Sequence, residues 1–453
     1  MRVHFIAIGG SAMHNLAIAL SYNHHTVTGS DDEIYNPSKE RLRNHGLLPE
    51  SMGWDPDLIT KDIDVIILGM HARINNPELK KARKLGLKIY SYPEFLFQYA
   101  KDKHRVVIAG SHGKTTTTSM ILHVLKNNKI EFDYLVGAQI EGFDSMVRLS
   151  DAPLMVVEGD EYLSSPIDRR PKILHYKPHV SVITGIAWDH INVFPSFDNY
   201  KSQFTKYIKT IEKGGTLFFY KNDEHINDIL GKIKNPKFEA EAYEAFDSTI
   251  KNGKSIILNE KGKPVALKIF GKHNLENLQA AFLVCKKVGV TDAQFFKTIK
   301  SFKGAARRLQ LLSKTKSCLA FLDFAHAPSK VDATMKALKA QHPKRKLIAC
   351  LELHTFSSLN KEFLTEYSRT MNTADKAIVY FSEHTLAMKK LPPISTHEVK
   401  VAFDHPNIEV VTDNARMLSA LKRFKWENKN LVMMTSGNFG GLDLKKEAKK
   451  LIK

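Results

Sequence analysis

The run Val106-Val107-Ile108-Ala109-Gly110-Ser111-His112-Gly113-Lys114-Thr115-Thr116-Thr117-Thr118 joins a β-branched strand, a glycine turn and a helix start. The backbone N–H groups of such a turn, with a helix N-terminus behind them, attract phosphate oxygens. Lys114 is then placed to reach the β- and γ-phosphates of a nucleotide, and the Thr115 hydroxyl to ligate Mg²⁺. The usual phosphate loop has a glycine five residues before Gly113, where this chain has Ile108, so the turn is a tighter Gly-x-x-Gly-Lys-Thr variant. The plainer alternative is a strand-to-helix turn with an exposed lysine.

Other segments carry complementary chemistry. Glu158-Gly159-Asp160-Glu161 follows the apolar run Leu154–Val157, and carboxylates at the end of a parallel strand beside a phosphate loop suit Mg²⁺. Trp188-Asp189-His190 lies just past the run Val180–Thr184, where His190 is either a ligand for a second ion or a packed imidazole. In His273-Asn274-Leu275-Glu276-Asn277 the two amides share one helix face and could read an adenine edge; Asn274 could equally cap the helix. Arg307-Arg308 offers planar guanidinium groups for phosphate or carboxylate, and Asp323-Phe324-Ala325-His326 ends a strand with an acid and an imidazole. Arg169-Arg170-Pro171-Lys172 is a compact cationic cluster, either a solvated loop or an anion site.

These residues need a scaffold, and the chain supplies alternating strand and helix signals. Strands are expected at Val3–Ile8, Thr26–Thr28, Val65–Leu68 and Lys88–Tyr90, then at Leu154–Val157, Val180–Thr184 and Thr216–Tyr220, with helices at Asp198–Ile211 and Asn274–Lys287. A last group of strands falls at Leu319–Phe324, Leu347–Leu351, Ala377–Phe381, Glu409–Val411 and Leu431–Thr435. Such alternation means parallel sheets with crossover helices, and the economical reading is three α/β domains. The first strand ends in Gly9-Gly10-Ser11-Ala12-Met13, and Asp31 follows the second strand. An acid about twenty residues past a glycine turn belongs to dinucleotide-type folds, although Ala7 and Ala12 stand where glycines are usual.

Composition sets the outer limits. With 453 residues, 43% hydrophobic and 25% charged, the chain has material for several cores and is not disordered. No apolar run is long enough to span a membrane, no signal peptide precedes the first strand, and a cytoplasmic location with no membrane partner is expected. Cys285, Cys318 and Cys350 have neither metal-ligand nor disulfide spacing. The net charge of +19 admits nucleic acid or a polyanionic small molecule; without a basic motif interleaved with aromatics, no nucleic-acid partner is expected.

Taken together and in order, Gly110-Ser-His-Gly-Lys-Thr-Thr, Glu158-Gly-Asp-Glu, Asp189-His190, His273-Asn274-Leu-Glu-Asn277, Arg307-Arg308 and Asp323-Phe-Ala-His-Ala-Pro resemble the Mur ligase family, the ATP-dependent amide-forming enzymes of peptidoglycan synthesis. The resemblance covers essentially the whole chain. It implies an α/β fold of three domains: a Rossmann-like domain binding a UDP-sugar (residues 1–105), a central P-loop ATPase-type domain (106–303), and a Rossmann-like C-terminal domain (304–453) that closes on ATP and binds the incoming amine. It implies ATP and Mg²⁺ as cofactors. Gly110, Ser111, His112, Gly113, Lys114, Thr115, Thr116, His273, Asn274, Asn277, Arg308, Asp323 and His326 become the ATP site. Thr115, Glu158 and His190 become metal ligands, and Lys114, Glu158, His190 and Arg308 the catalytic set.

By the same resemblance Gly9, Gly10, Ser11 and Met13 line the pyrophosphate, Asp31 faces uridine or ribose, and His71 and Arg73 belong to a second UDP-sugar segment. For the latter, a loop with Asn76 capping the next helix is the alternative. Two kinds of family member act on UDP-N-acetylmuramate, adding either L-alanine or the tripeptide L-alanyl-γ-D-glutamyl-meso-diaminopimelate. Asp160-Glu161-Tyr162, Asp168-Arg169-Arg170-Pro-Lys172, His175-Tyr176-Lys-Pro178 and Gly437-Asn-Phe-Gly-Gly441 resemble the tripeptide-adding kind. Arg169, Arg170, Lys172, Glu352 and His354 are then the peptide-binding residues, although His354 stands where an arginine is usual and Ala327 where a second histidine is. Thr205 occupies the place at which other relatives carry a carbamylated lysine. A monomer or weak homodimer is expected.

Overall fold

The computed structural model describes residues 1–251 and 253–453. Its chain forms two compact units. One comprises Met1–Ile186, Lys201–Tyr243 and Ala280–Thr291; the other comprises Ala187–Tyr200, Glu244–Gln279 and Asp292–Lys453. Among the described residues no helix is long and apolar enough to cross a membrane.

The first unit holds two sheets. Strands β1 (Arg2–Ile6), β2 (Thr26–Ser30), β3 (Val65–Leu68) and β4 (Lys88–Ser91) form a parallel sheet in the order β2-β1-β3-β4. The chain leaves β1 for β2 on one side and returns to β3 on the other, so a crevice opens beyond the ends of β1 and β3, the usual place for a ligand in such sheets. The second sheet contains β5 (His104–Ala109), β6 (Asp133–Leu135), β7 (Val147–Arg148), β8 (Leu154–Glu158), β9 (Val180–Ile183), β10 (Thr216–Tyr220) and β11 (Glu239–Tyr243). Their order is β11-β10-β9-β5-β8-β6-β7, all parallel except β7. Val106, Val107, Ile108 and Ala109 are buried without a break, the pattern of a central strand covered on both faces.

The second unit holds a small antiparallel sheet, β12 (Thr249–Lys251), β13 (Lys254–Leu258) and β14 (Pro264–Ala266). It also holds a six-stranded sheet of β15 (Gln310–Lys314), β16 (Leu319–Asp323), β17 (Lys346–Leu353), β18 (Lys376–Phe381), β19 (Ile408–Val411) and β20 (Lys429–Met434), in the order β15-β16-β20-β17-β18-β19. Strand β17 feeds both cores: Leu347, Ala349, Leu351 and Leu353 pack on one face, Ile348 and Cys350 on the other.

The expected strands are present, mostly within two residues of their expected ends. The expected helices run Phe197–Ile208 and Lys272–Lys287. Strands without an apolar signal escaped the pattern. Strand β11 reads Glu-Ala-Glu-Ala-Tyr and is exposed but for Tyr243, and β15 is a half-exposed antiparallel edge with a bulge at Leu311/Ser313. Their pairing comes from the neighbour's free edge rather than from their own burial.

Candidate active site

Strand β5 lies between β8 and β9, so the turn at its end is flanked by Glu158 on one side and Thr184 on the other. Gly110 has φ 121°, and a Cβ there would overlap the Thr184 hydroxyl and stand 2.8 Å from its nitrogen. Only glycine allows this approach. Ser111 N donates to Gly185 O at 2.9 Å, and Thr184 Oγ1 donates to His112 O, fixing the turn on β9. Gly113, at φ 79°, turns the chain into the helix Lys114–Asn127. Thr115 and Thr116 sit buried in its first turn.

Lys114 Nζ donates to Gly110 O at 2.6 Å and to Glu161 Oε2 at 2.7 Å. Burial opposes its charge, but Glu161, Asp160 and Glu158 outweigh burial and hold its pKa above the ordinary lysine value. Thr115 Oγ1 donates to Glu158 Oε1 at 2.7 Å, and Gly137 N to Glu158 Oε2 at 2.7 Å. A hydroxyl and a carboxylate already in contact at a helix N-terminus form a hard-oxygen donor set, which fits Mg²⁺.

The glycine turn after β1 has an unusual backbone. Ala7 takes φ 73°, where glycine is the common residue, and Ala7 N and Ile8 N both donate to Ser30 O. Asp31 is wholly buried: its Oδ2 accepts from Gly9 N at 2.7 Å and its Oδ1 pairs with His71 Nε2 at 2.7 Å. The acid thus organises the turn rather than facing a ligand. Its hydrogen bond raises the His71 pKa, against the effect of partial burial.

A cavity of about 450 Å³ runs from this turn to the phosphate loop. Gly10, Ser11, Met13 and His71 line one end; Lys114 and Glu158 line it as well. Gly9, Asp31 and Arg73 are not among its lining residues, and Arg73 is exposed. Asn76 Oδ1 accepts from Leu79 N at 3.0 Å, so the capping role in that loop is filled too.

The cationic cluster at 169–172 does not act as one patch. Lys172 turns into the cavity and pairs with Asp160 Oδ2 at 2.6 Å. Lys172 and Lys114 keep the Asp160 carboxylate well below the usual range despite its burial. Arg170 forks onto Asp168 and reaches Glu94 at 3.3 Å, whereas Arg169 is exposed. Gly137, Tyr92 and Ser164 were not singled out from sequence, and Glu161 and Tyr176 were quoted only within motifs, without a role in the site. Glu161 had a signal in the acidic stretch after β8; the others come from separate segments brought together by the fold.

The remaining residues lie in the second unit. His190 takes φ 56°, and its N–H donates to Asp189 Oδ1 at 2.8 Å. Asp189 pairs with Lys330 at 3.2 Å, and Lys330, His190 and His326 depress its pKa against its burial. Burial, with Lys330 adding to it, lowers His326 to about 3; burial, with Arg308 adding to it, lowers His273 to about 4. The helix begins at Lys272, so Asn274 is inside its first turn rather than capping it, and its Nδ2 donates to Phe270 O at 2.8 Å. Asn277 is buried one turn on.

Both arginines lie over the Phe324 ring, Arg307 at 5.2 Å and Arg308 at 4.9 Å; Arg307 also donates to Thr435 O at 3.1 Å and Gly437 O at 2.5 Å, while Arg308 lowers the pKa of His273. Asp323 accepts from Leu309 N at 2.6 Å and Ala325 N at 2.7 Å. Glu352 is buried, accepting from Thr435 Oγ1 and from Phe439 N at 2.9 Å, with His354 Nδ1 3.8 Å from its other oxygen.

Three family descriptions match successive stretches: "Mur ligase family, catalytic domain" at residues 2–104, "Mur ligase middle domain" at 108–285 and "Mur ligase, glutamate ligase domain" at 307–438. The UDP-N-acetylmuramate–L-alanine ligase of Dictyoglomus turgidum is 30% identical over 91% of this chain and 89% of its own. The murein peptide ligase of Psychrobacter arcticus superposes with TM-score 0.70 at 22% identity, covering 100% of this chain and 99% of that one. The UDP-N-acetylmuramate:L-alanyl-γ-D-glutamyl-meso-diaminopimelate ligase of Neisseria meningitides is 27% identical with TM-score 0.60, over 68% of this chain and 99% of its own.

Proposed function

The chain belongs to the Mur ligase family of ATP-dependent, amide-forming enzymes of peptidoglycan synthesis, and from that premise we propose that it joins UDP-N-acetylmuramate to the tripeptide L-alanyl-γ-D-glutamyl-meso-diaminopimelate. The observation that carries the muramyl half is the single cavity shared by the glycine turn and the phosphate loop. A nucleotide-sugar whose diphosphate lies at Gly10–Met13 would bring its acid toward Lys114. We assign three functional segments, 1–105, 106–303 and 304–453, to nucleotide-sugar, ATP and acceptor respectively.

In the proposed reaction the lactyl carboxylate attacks the γ-phosphorus of ATP, expelling ADP and forming an acyl phosphate. The neutral α-amine of the acceptor then attacks that carbonyl, phosphate leaves, and the amine proton goes to solvent. Two anions meet in the first step, so compensation of charge is the main demand. Lys114 supplies a fixed positive charge, and the N-terminus of its helix supplies backbone donors. Thr115 and Glu158 would hold Mg²⁺, which when bound screens phosphate charge, and His190 is kept as the candidate for a second ion. Arg308 and Asp323 are assigned to ATP, with His273, Asn274, Asn277 and His326. The second step rests on orientation, and holding two reactants together can lower a barrier by roughly 7–11 kcal/mol.

The tripeptide reading is supported by the likeness to the Neisseria enzyme and by the Gly437-Asn-Phe-Gly-Gly441 turn, which is tied to Glu352 and Arg307. Glu352 and His354 are its peptide-side candidates, joined by exposed Arg169. L-alanine is the second reading, favoured by the alanine-ligase relative at 30% identity. Phosphate release with UDP-N-acetylmuramate and ATP, measured with each acceptor in turn, decides between them. A tripeptide kcat/KM at least about 100-fold above that for L-alanine is expected, a gap of roughly 2.8 kcal/mol. The reverse order makes the protein an alanine ligase.

A further inference from the structure

The cavity has lining residues that the chemistry above does not use. Tyr92, Asp160, Ser164, Lys172 and Tyr176 line it, contributed by the helix Tyr92–Ala100 and by the segment after β8. Tyr92 is 4% exposed, and its hydroxyl is buried without a hydrogen-bond partner among the described residues. An orphaned buried hydroxyl is costly to a fold, and a ligand acceptor would relieve that cost. Burial, with Asp160 beside it, raises the Tyr92 pKa, so the group stays a neutral donor. Ser164 is already engaged, donating to Arg170 O at 2.7 Å and paired with His175 Nε2 at 2.9 Å.

Charge decides what this part of the lining accepts. The Lys172 ammonium is matched by Asp160 at 2.6 Å, so the pair is close to neutral overall and poorly suited to a carboxylate. Together the pair and Tyr92 offer both donors and an acceptor, beside the tyrosine rings and the apolar wall of Leu135, Val136 and Val147. That combination complements a small uncharged amide with an apolar end.

We propose that Tyr92 and the Asp160–Lys172 pair read the acetamido group of the muramyl sugar, making them specificity-determining residues for an N-acylated amino sugar. The proposal rests on the muramyl reading above. It also moves Lys172 from the peptide to the sugar.

Calorimetric binding of UDP-N-acetylmuramate and of its de-acetylated counterpart, UDP-muramate, tests it. Wild-type protein is expected to prefer the acetylated compound about tenfold, the scale of one hydrogen bond to a buried group. Tyr92→Phe should weaken the acetylated ligand about tenfold, leave the de-acetylated one unchanged, and leave the KM for ATP as it was. Lys172→Gln, which keeps the Tyr92 ring in place, should give the same selective loss. Equal loss for both ligands, or no loss in either variant, overturns the proposal while leaving the muramyl reading intact. Wild-type protein that binds neither compound overturns both.

Discussion

Lys114 is held between Gly110 O and Glu161, and Glu161 is 1% exposed. Substitution by alanine therefore does two things. It removes the positive charge proposed to face the γ-phosphate, lowering kcat/KM by about 10³-fold or more. It also strips buried Glu161 of its lysine, lowering stability by about 3 kcal/mol. The pair Lys114→Ala with Glu161→Gln separates the effects: denaturant unfolding should recover most of the stability while phosphate release stays absent. Recovery of turnover in the double variant would remove Lys114 from the catalytic set. His71 gives a pH test. Its hydrogen bond to Asp31 raises its pKa, so the charged form, and the stability it brings, is fully present below the ordinary imidazole value of about 6.5 and fades as pH climbs through the raised one. Binding of the UDP-sugar should weaken over that rise, and His71→Gln should flatten the profile. Lys114, Thr115 and Glu158 were legible in the sequence because strand, turn and acid each sit in one contiguous motif. Tyr92 and the Asp160–Lys172 pair were not, since their meaning depends on which partner the fold presents to each.

At the level of the strand and turn, the phosphate loop is shaped by what lies beside it. Gly110 fits because Thr184 and Gly185 of the neighbouring strand end press against it, so Gly110→Ala brings both a disfavoured φ and a clash with backbone. A stability loss of at least about 2 kcal/mol is expected, with a raised KM for ATP, since the turn can be relieved only by moving off β9. Normal melting and normal KM would show that the approach is not needed. Central strands such as β5 and β17 were readable from their unbroken apolar runs. Edge strands such as β11 and β15 were not, because an edge needs little burial of its own and takes its register from a partner.

Across the first unit one side chain links distant segments. Arg105 is 4% exposed and donates to Ala100 O, Lys101 O and Lys103 O, to Tyr176 O and Lys177 O, and to Glu212. It thus satisfies carbonyls at the end of the helix Tyr92–Ala100 and beside the 3₁₀ turn Lys172–His175, two of the walls of the cavity. Arg105→Ala should cost about 3 kcal/mol, measured by denaturant unfolding, by leaving several of those carbonyls unmatched. Its effect on catalysis should follow from loosened binding of the nucleotide-sugar rather than of ATP. Nothing in the sequence marked Arg105 out from the other basic residues, because burial distinguishes it and composition does not.

The order in which the two compact units take up the chain has a further consequence. The polypeptide passes from one to the other five times, after Ile186, Tyr200, Tyr243, Gln279 and Thr291, twice inside a continuous helix. No one cut can therefore release either unit as an intact fragment. A protease nick at a single junction should leave both halves co-purifying. A gene truncated after residue 303 should yield an insoluble product, because it retains orphan pieces of a partner it no longer encodes.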